Sequence, residues 1–258
     1  MNSFSHTDLH DNSLNSLEEP LHLNLLRESG LSVVIGTRNE SECIEKVVKD
    51  YASVLSKIPS DTELVIADYS TDDTLDRAMA AGKSCSLKVV PLRVNRPGRG
   101  FALRYGVKHA KYDLFCLADG DGSHNPRYIP RLLEAYVSGS IVMASRFPPL
   151  GWSDEHTFFH YYGNRIAVAA VNLLFRANVS DVTNGFGIMN RYVWNRLGLD
   201  SDNWSFDTQI ICRALKNGIR IIEIPSFEPK RAGGIAKLSL LDALWRIAGR
   251  VFLERITR

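Results

Sequence analysis

Two aspartates one residue apart, Asp119 and Asp121, stand in an Asp-Gly-Asp-Gly turn directly after the apolar run Leu114-Phe115-Cys116-Leu117-Ala118. Carboxylates so spaced can face one hard divalent cation, Mg2+ or Mn2+, that also takes diphosphate oxygens. Such a cation neutralises the charge that grows on a phosphate leaving group. The competing reading is a polar turn without a ligand, and only the surrounding residues decide between the two. Upstream, Gly98-Arg99-Gly100 lets the backbone approach a partner closely beside a guanidinium, which suits a diphosphate or the aspartate loop itself, with a plain turn as the alternative.

The elements that must hold these residues follow from the hydrophobic pattern. Apolar runs at 31–35, 63–67, 87–91 and 114–118 alternate with helical stretches at 41–55, 72–81, 100–110 and 127–137, which predicts a buried, mostly parallel sheet in an α/β fold. Ligands bind beyond the carboxyl ends of such strands. The polar loops 37–40, 68–73 and 119–124 therefore fall on one edge. Further along come a strand at 141–144, a long amphipathic helix at 161–175, a strand or turn at 187–190, a helix at 206–217 and a strand at 220–225. Residues 1–28, rich in Asn, Ser, His and acids, read as a mobile tail.

Composition narrows the function classes. A chain of 258 residues with 45% hydrophobic content supports one sizeable catalytic domain, and a formal net charge of +2 excludes a general nucleic-acid binder. Cys43, Cys85, Cys116 and Cys212 show no CxxC spacing, which argues against a zinc cluster or disulfide framework and fits a reducing, cytoplasmic compartment. No run approaches the roughly 18 uninterrupted apolar residues of a membrane span, so the chain reads as soluble or peripheral on a membrane.

Four segments, residues 31–40, 68–74, 95–106 and 118–126, occur in an order and spacing that resembles the family 2 glycosyltransferases of the GT-A fold, nearest to the dolichol- or polyprenyl-phosphate sugar synthases. The resemblance covers roughly 31–238 and marks residues 29–238 as the transferase domain. It implies a three-layer α/β/α architecture and an inverting, metal-dependent transfer from a nucleotide-sugar donor, GDP- or UDP-linked, to a polyprenyl-phosphate acceptor. By the same resemblance Gly36, Arg38 and Glu40 hold the nucleotide, Asp68 contacts its base or ribose, Asp119 and Asp121 hold the cation, and Ser123 supplies a further ligand. Arg146 in Ser145-Arg146-Phe147 and Asp181 in the 181–186 loop would lie near the acceptor and the transferred sugar, while Asp207 opens a helix where relatives carry an acid. Arg231 and Lys237, in a glycine-containing segment like the Arg-x-x-Gly-x-Ser-Lys-Leu of the polyprenyl-phosphate enzymes, would meet phosphate. This chain departs from the pattern in having Gly36 and Arg38 where Pro and an aromatic are usual, Ala67-Asp68-Tyr69 for an acid pair and glycine, and Ala236 for Ser.

The bland readings stay beside these: a helix cap for the Ser-Thr-Asp-Asp cluster at 70–73, an Asx turn at Asp181, a favourable helix-start charge at Asp207. An already anionic phosphate acceptor needs no strong base, whereas a hydroxyl acceptor, a sugar or a natural product, requires Asp181 or Asp207 to take a proton. A non-catalytic nucleotide-sugar sensor is the third reading. The last helix, 239–258, gathers Leu240, Leu241, Leu244, Trp245, Ala248, Val251 and Phe252 on one face with Arg246 and Arg250 on another. That face either rests on a lipid surface or packs on the domain with its arginines in water.

Overall fold

The apolar runs become one sheet. The computed structural model describes residues 30–147, 149–154, 158–229 and 240–257, with the backbone alone for 158–160 and 240–244. The 1–28 tail, Arg231 and Lys237 lie outside the described residues. The strands are β1 (Leu31–Thr37), β2 (Thr62–Asp68), β3 (Val89–Arg93), β4 (Leu114–Asp119), β5 (Ile141–Ser145), β6 (Trp152–Ser153), β7 (Gly187–Asn190), β8 (Ile221–Pro225) and β9 (Phe227–Glu228). Seven form a sheet in the order β3-β2-β1-β4-β7-β5-β8, and β6 pairs with β9 in a separate two-stranded ribbon. The large sheet is parallel except for β7, which runs antiparallel to both β4 and β5.

Among the described residues eight helices accompany it: α1 (Ile44–Leu55), α2 (Thr74–Ser84), α3 (Arg99–His109), α4 (Ile129–Ala135), α5 (Phe158–Phe175), α6 (Arg191–Leu197), α7 (Phe206–Lys216) and α8 (Leu240–Ile256). The side-chain alternation of buried strands explains two cores rather than one. Leu114, Cys116 and Ala118 of β4 join Leu31, Val33 and Ile35 of β1 in the core under α1, α2 and α4. Phe115 and Leu117 face the other way, with Val34, into the core under α3, α5, α6 and α7. The three-layer α/β/α expectation is met.

Differences from the sequence reading have local causes. The third strand sits at Val89–Arg93 rather than 87–91 because it is an edge strand, paired only with β2, where Pro91 can leave its missing donor outward. The helix expected over 127–137 starts as a 3-10 turn at Pro126–Tyr128, capped by Asn125 Oδ1 accepting from the Arg127 amide, before α4 begins at Ile129. Helix α6 was not anticipated, although its signals are present: Asn190 accepts from the Val193 amide at 2.9 Å and Gly198, at φ 56°, ends it. The final helix does not use one apolar face. Val251 is buried against α5 and α7, whereas Trp245 and Phe252 are 78% and 64% exposed. Arg250, expected in water, instead turns inward to Asp200 and Glu254.

Candidate functional site

The carboxyl edge of the sheet gathers the polar loops as the strand order requires. Thr37 is in register with Asp68 and Gly36 with Asp119, so the ends of β1, β2 and β4 lie side by side. The first two loops are stitched together. The Asn39 amide donates to Ser70 Oγ at 2.7 Å, the Thr71 amide to Asn39 Oδ1 at 2.9 Å, and the Glu40 amide to Thr74 Oγ1 at 2.9 Å. Asn39 itself adopts φ 53°. Gly36 is partly accessible, Arg38 is exposed with its guanidinium 5.7 Å from the centre of the Tyr69 ring, and Glu40 is half-buried. Asp68 is fully buried: Oδ1 accepts from Thr37 at 2.7 Å and from Ser70, and Oδ2 from Arg93 at 2.6 Å. It ties the first loop to the second and to Arg93.

Beside that edge, Arg99 at the start of α3 lies between two acids. Its Nε donates to Asp119 Oδ1 and its Nη1 to Asp207 Oδ1, both at 2.6 Å, and only 6% of the side chain is exposed. Gly98 and Gly100 make this possible in a way the sequence reading did not anticipate. Their close approach is to the chain's own backbone, since a Cβ would stand 2.3 Å from Asp202 O at Gly98, where φ is 134°, and 2.2 Å from Ser201 O at Gly100. Of the two partners expected for Arg99, the aspartate loop is in contact with it. Gly185 completes the enclosure, because a Cβ there would meet Arg99 Nη2 at 2.1 Å and Asp207 Oδ1 at 2.5 Å. Burial would lower the affinity of Arg99 for its proton, but Asp119 and Asp207 outweigh it and hold the guanidinium firmly charged. For Asp207 burial prevails: its carboxyl is pushed above the ordinary range, and the Asp119 charge adds to the shift against the pull of Arg99.

The aspartate loop is shaped from within. Ser123 donates to Asp121 Oδ1 through both its amide, at 3.0 Å, and its hydroxyl, at 2.7 Å, so this serine orients a carboxylate. The Asp119 amide donates to His124 Nδ1 at 2.9 Å. Among the described residues no group of three or more His, Cys, Asp or Glu is arranged to hold a metal alone. Asp119 and Asp121 nonetheless fit a hard divalent ion. Both are oxygen donors, and Mg2+ sites of this type are completed by substrate phosphate and water around one or two carboxylates.

A second buried cluster forms where β5 ends. Arg146 donates through Nε to Asp181 Oδ2 at 2.9 Å, through Nη1 to Glu228 at 3.2 Å, and through Nη2 to Asp181 Oδ1 at 3.3 Å and Thr183 Oγ1 at 2.9 Å. Asn164 of α5 adds a donor to Asp181 at 3.1 Å, and Ser153 one to Glu228 at 2.7 Å. Burial alone would raise the Asp181 carboxyl, but the Arg146 charge outweighs it and holds it below the ordinary range. Under this cluster Glu223 accepts from the amides of Ser180 and Asp181, and burial keeps its carboxyl above the usual value. The 181–186 loop spans both clusters: Asp181 meets Arg146, Asn184 donates to Ala144 O at 2.6 Å, and Gly185 lies against Arg99.

The structure thus brings Arg99, Asp119 and Asp207 together, holds Asp121 on Ser123 within the same loop as Asp119, and places Arg146 with Asp181 nearby. Sequence reasoning missed His124, Asn164, Glu223 and Glu228. For Glu228 no local signal existed, since its place depends on the β6–β9 pairing.

Residues 32–198 match the family model described as glycosyl transferase family 2. An undecaprenyl-phosphate mannosyltransferase of Micrococcus luteus is 29% identical over 237 residues, covering 84% of this chain and 94% of that protein. A polyprenol monophosphomannose synthase of Mycolicibacterium smegmatis is 27% identical over 229 residues, covering 84% of each. Among solved structures, glucosyl-3-phosphoglycerate synthase of Mycobacterium tuberculosis, in complex with Mn2+, uridine diphosphate and phosphoglyceric acid, is similar in fold, with a TM-score of 0.69 at 20% identity, covering 92% of this chain and 82% of that one.

Proposed function

This chain belongs to glycosyl transferase family 2 and is a glycosyltransferase; from that premise we propose an inverting, cation-dependent transfer of a hexose from a nucleotide-sugar donor to a polyprenyl-phosphate acceptor. The observation that carries the reading is the Asp119-Gly120-Asp121 loop at the carboxyl edge of the sheet, in register with β1 and beside the buried Arg99. A divalent cation, Mg2+ or Mn2+, held by Asp119 and Asp121 would neutralise charge on the departing nucleoside diphosphate. Arg99 holds Asp119 in place from behind. Gly36, Arg38 and Glu40 on the first loop receive the nucleotide, while Asp68 fixes that loop to the second. Asp181 and Arg146 line the acceptor side, and Arg231 with Lys237 supply cationic contacts to phosphate.

The test is direct. Thermal shift with GDP- and UDP-sugars, with and without Mg2+ or Mn2+, identifies the donor, because a ligand selective for the native state stabilises it. Asp119→Asn combined with Asp121→Asn then lowers turnover by at least about a hundredfold, the scale on which removing one transition-state contact acts. Unchanged donor binding and turnover in that double variant sinks the reading.

One observation favours a hydroxyl acceptor as the second reading. Every nitrogen of the Arg146 guanidinium donates to a protein oxygen, and its two acidic partners outnumber it, so the described acceptor side carries no surplus positive charge. The similar synthase crystallised with phosphoglyceric acid accords with a soluble acceptor. Assays with a short-chain prenyl phosphate and with soluble alcohols, each on Asp181→Asn and Asp207→Asn, separate the two. Transfer to the phosphate that survives both substitutions supports the lipid-phosphate acceptor, and transfer to alcohols alone, abolished by one of them, supports the hydroxyl.

Membrane contact belongs to the same proposal. No helix among the described residues is long and apolar enough to cross a membrane. Helices α5 and α8 pack on each other, yet leave Ile166, Leu173, Trp245 and Phe252 exposed, and Arg165, Arg176, Arg246 and Arg255 at or beside these two helices are exposed as well. This pattern supports peripheral docking on the cytoplasmic face, extended from the 239–258 helix to α5. The four described cysteines are free, which accords with that compartment.

A further inference from the structure

His124 closes the aspartate loop on itself. Its ring is 5% exposed, and Nδ1 accepts the backbone N–H of Asp119 at 2.9 Å. A ring nitrogen that accepts carries no proton, so the neutral imidazole must bear its hydrogen on Nε2. That Nε2 lies 3.9 Å from Asp119 Oδ2, within reach of electrostatic attraction though longer than a hydrogen bond. One ring therefore addresses both the amide and the carboxylate of the same aspartate. The opposite side of that carboxylate, Oδ1, is taken by Arg99. The ring itself is held flat on Phe186, with centroids 5.1 Å apart and planes 13° from parallel, and Phe186 is the last residue of the loop that begins at Asp181.

We propose that His124 is a positioning residue for Asp119: in the Nε2–H tautomer it fixes the aspartate's backbone through Nδ1 and steers Oδ2 toward the cation, and its stack on Phe186 ties that geometry to the 181–186 loop. The proposal rests on the reading of Asp119 as a cation ligand. Groups behind metal-ligating side chains fix the orientation of those side chains, and losing one typically costs about 10- to 100-fold in metal affinity. A histidine kept only for packing would instead affect stability and leave cation binding alone.

Asparagine and glutamine divide the two nitrogens, since the Asn oxygen falls near Nδ1 and the Gln amide near Nε2. Mn2+ binding to the full chain, followed by electron paramagnetic resonance with and without uridine diphosphate, is measured for wild type, His124→Asn, His124→Gln and His124→Ala, alongside thermal melts. The expected result is a loss of about 10- to 100-fold in Mn2+ affinity for His124→Ala and His124→Gln, recovered largely in His124→Asn. Where the alanine variant does not fold, the Asn and Gln pair decides. Nitrogen-15 spectra of the wild-type histidines give a readout that needs no metal: His124 should show an unprotonated Nδ1 and a protonated Nε2. Equal Mn2+ affinity in all variants, equal loss in Asn and Gln, or a protonated Nδ1 overturns the proposal. A wild type that binds no Mn2+ defeats the cation reading and this proposal together, whereas Mn2+ binding indifferent to residue 124 defeats this proposal alone.

Discussion

Arg99 and Arg146 are each buried between two carboxylates, but the two clusters are balanced differently. Arg146 gives every guanidinium nitrogen to a protein oxygen, and its partner Asp181 is held below the ordinary carboxylate range because the arginine charge overcomes burial. Arg99 leaves Nη2 buried without a hydrogen-bond partner among the described residues, and its partner Asp207 is pushed above that range because burial and the Asp119 charge overcome the arginine. A saturated cluster is a structural joint. The unsaturated one keeps a buried guanidinium donor without an acceptor, beside an aspartate that is 22% exposed.

The largest expected effect tests that contrast on stability. Arg146→Met strands Asp181 and Glu228, and urea unfolding should lose about 3–5 kcal/mol, the usual cost of removing one partner of a buried ion pair, with no recovery on adding Mn2+. Arg99→Met should lose roughly half as much and recover in part with Mn2+, because a bound cation stabilises the native state by mass action. Equal losses in the two variants, or equal responses to Mn2+, erase the distinction.

Gly185→Ala comes next. Its Cβ would press on Arg99 Nη2 and Asp207 Oδ1, and overpacking of this kind costs about 1–3 kcal/mol. The Arg146 cluster should be untouched, so a second substitution there should add independently. Strong coupling between the two in a double-mutant cycle would mean that the 181–186 loop merges them into one unit.

The clusters should also slope in opposite directions with pH. Asp181 has a depressed folded value, so its pairing contributes fully above the unfolded carboxylate value and is lost as pH falls toward the folded one. Asp207 has a raised folded value, so the folded state holds its proton more tightly and stability declines as pH rises from the ordinary toward the raised value. Asp181→Asn should flatten the acid-side loss, and Asp207→Asn should remove the decline above it. Denaturation midpoints across pH 3 to 7, about the window of ordinary and shifted carboxylates, check both signs.

The smallest effect concerns the thiols. Burial pushes Cys43 up to about 11 and Cys212 up to about 12, and raises Cys116 as well, so native alkylation near neutral pH should mark Cys85 before any other. Prior labelling of Cys43 would indicate an open aspartate loop, since its thiol contacts Gly120 O at 3.8 Å.

Legibility in the sequence followed the range of the interactions. The runs at 31–35, 63–67 and 114–118 are buried on both faces, so their high hydrophobicity, interrupted only by the mutually bonded Ser32 and Glu63, announced them, and the helices between them carried their own periodicity. Four-residue β7 has no pattern that encodes direction, and its antiparallel pairing is decided by its neighbours. At the site, Asp119 and Asp121 stood out because their spacing is local, and order along the chain brought in Arg99, Arg146, Asp181 and Asp207. Glu228 and Asn164 reach Arg146 and Asp181 only through tertiary packing. His124 was visible at the end of the aspartate loop, but its bond to an amide five residues back requires the folded turn.

The reversed strand β7 has one more effect. Its neighbours deliver their exits to the carboxyl edge, whereas β7 delivers its entrance, Gly187 standing opposite Leu117 and Met143. The stretch from α5 to β7 therefore meets the carboxyl edge as a span anchored at both ends, separate in the chain from the loops that follow β1, β2 and β4. Under the function proposed above, exchanging that span between related enzymes would test whether it sets what receives the sugar, provided its contacts with Arg99 and His124 are kept.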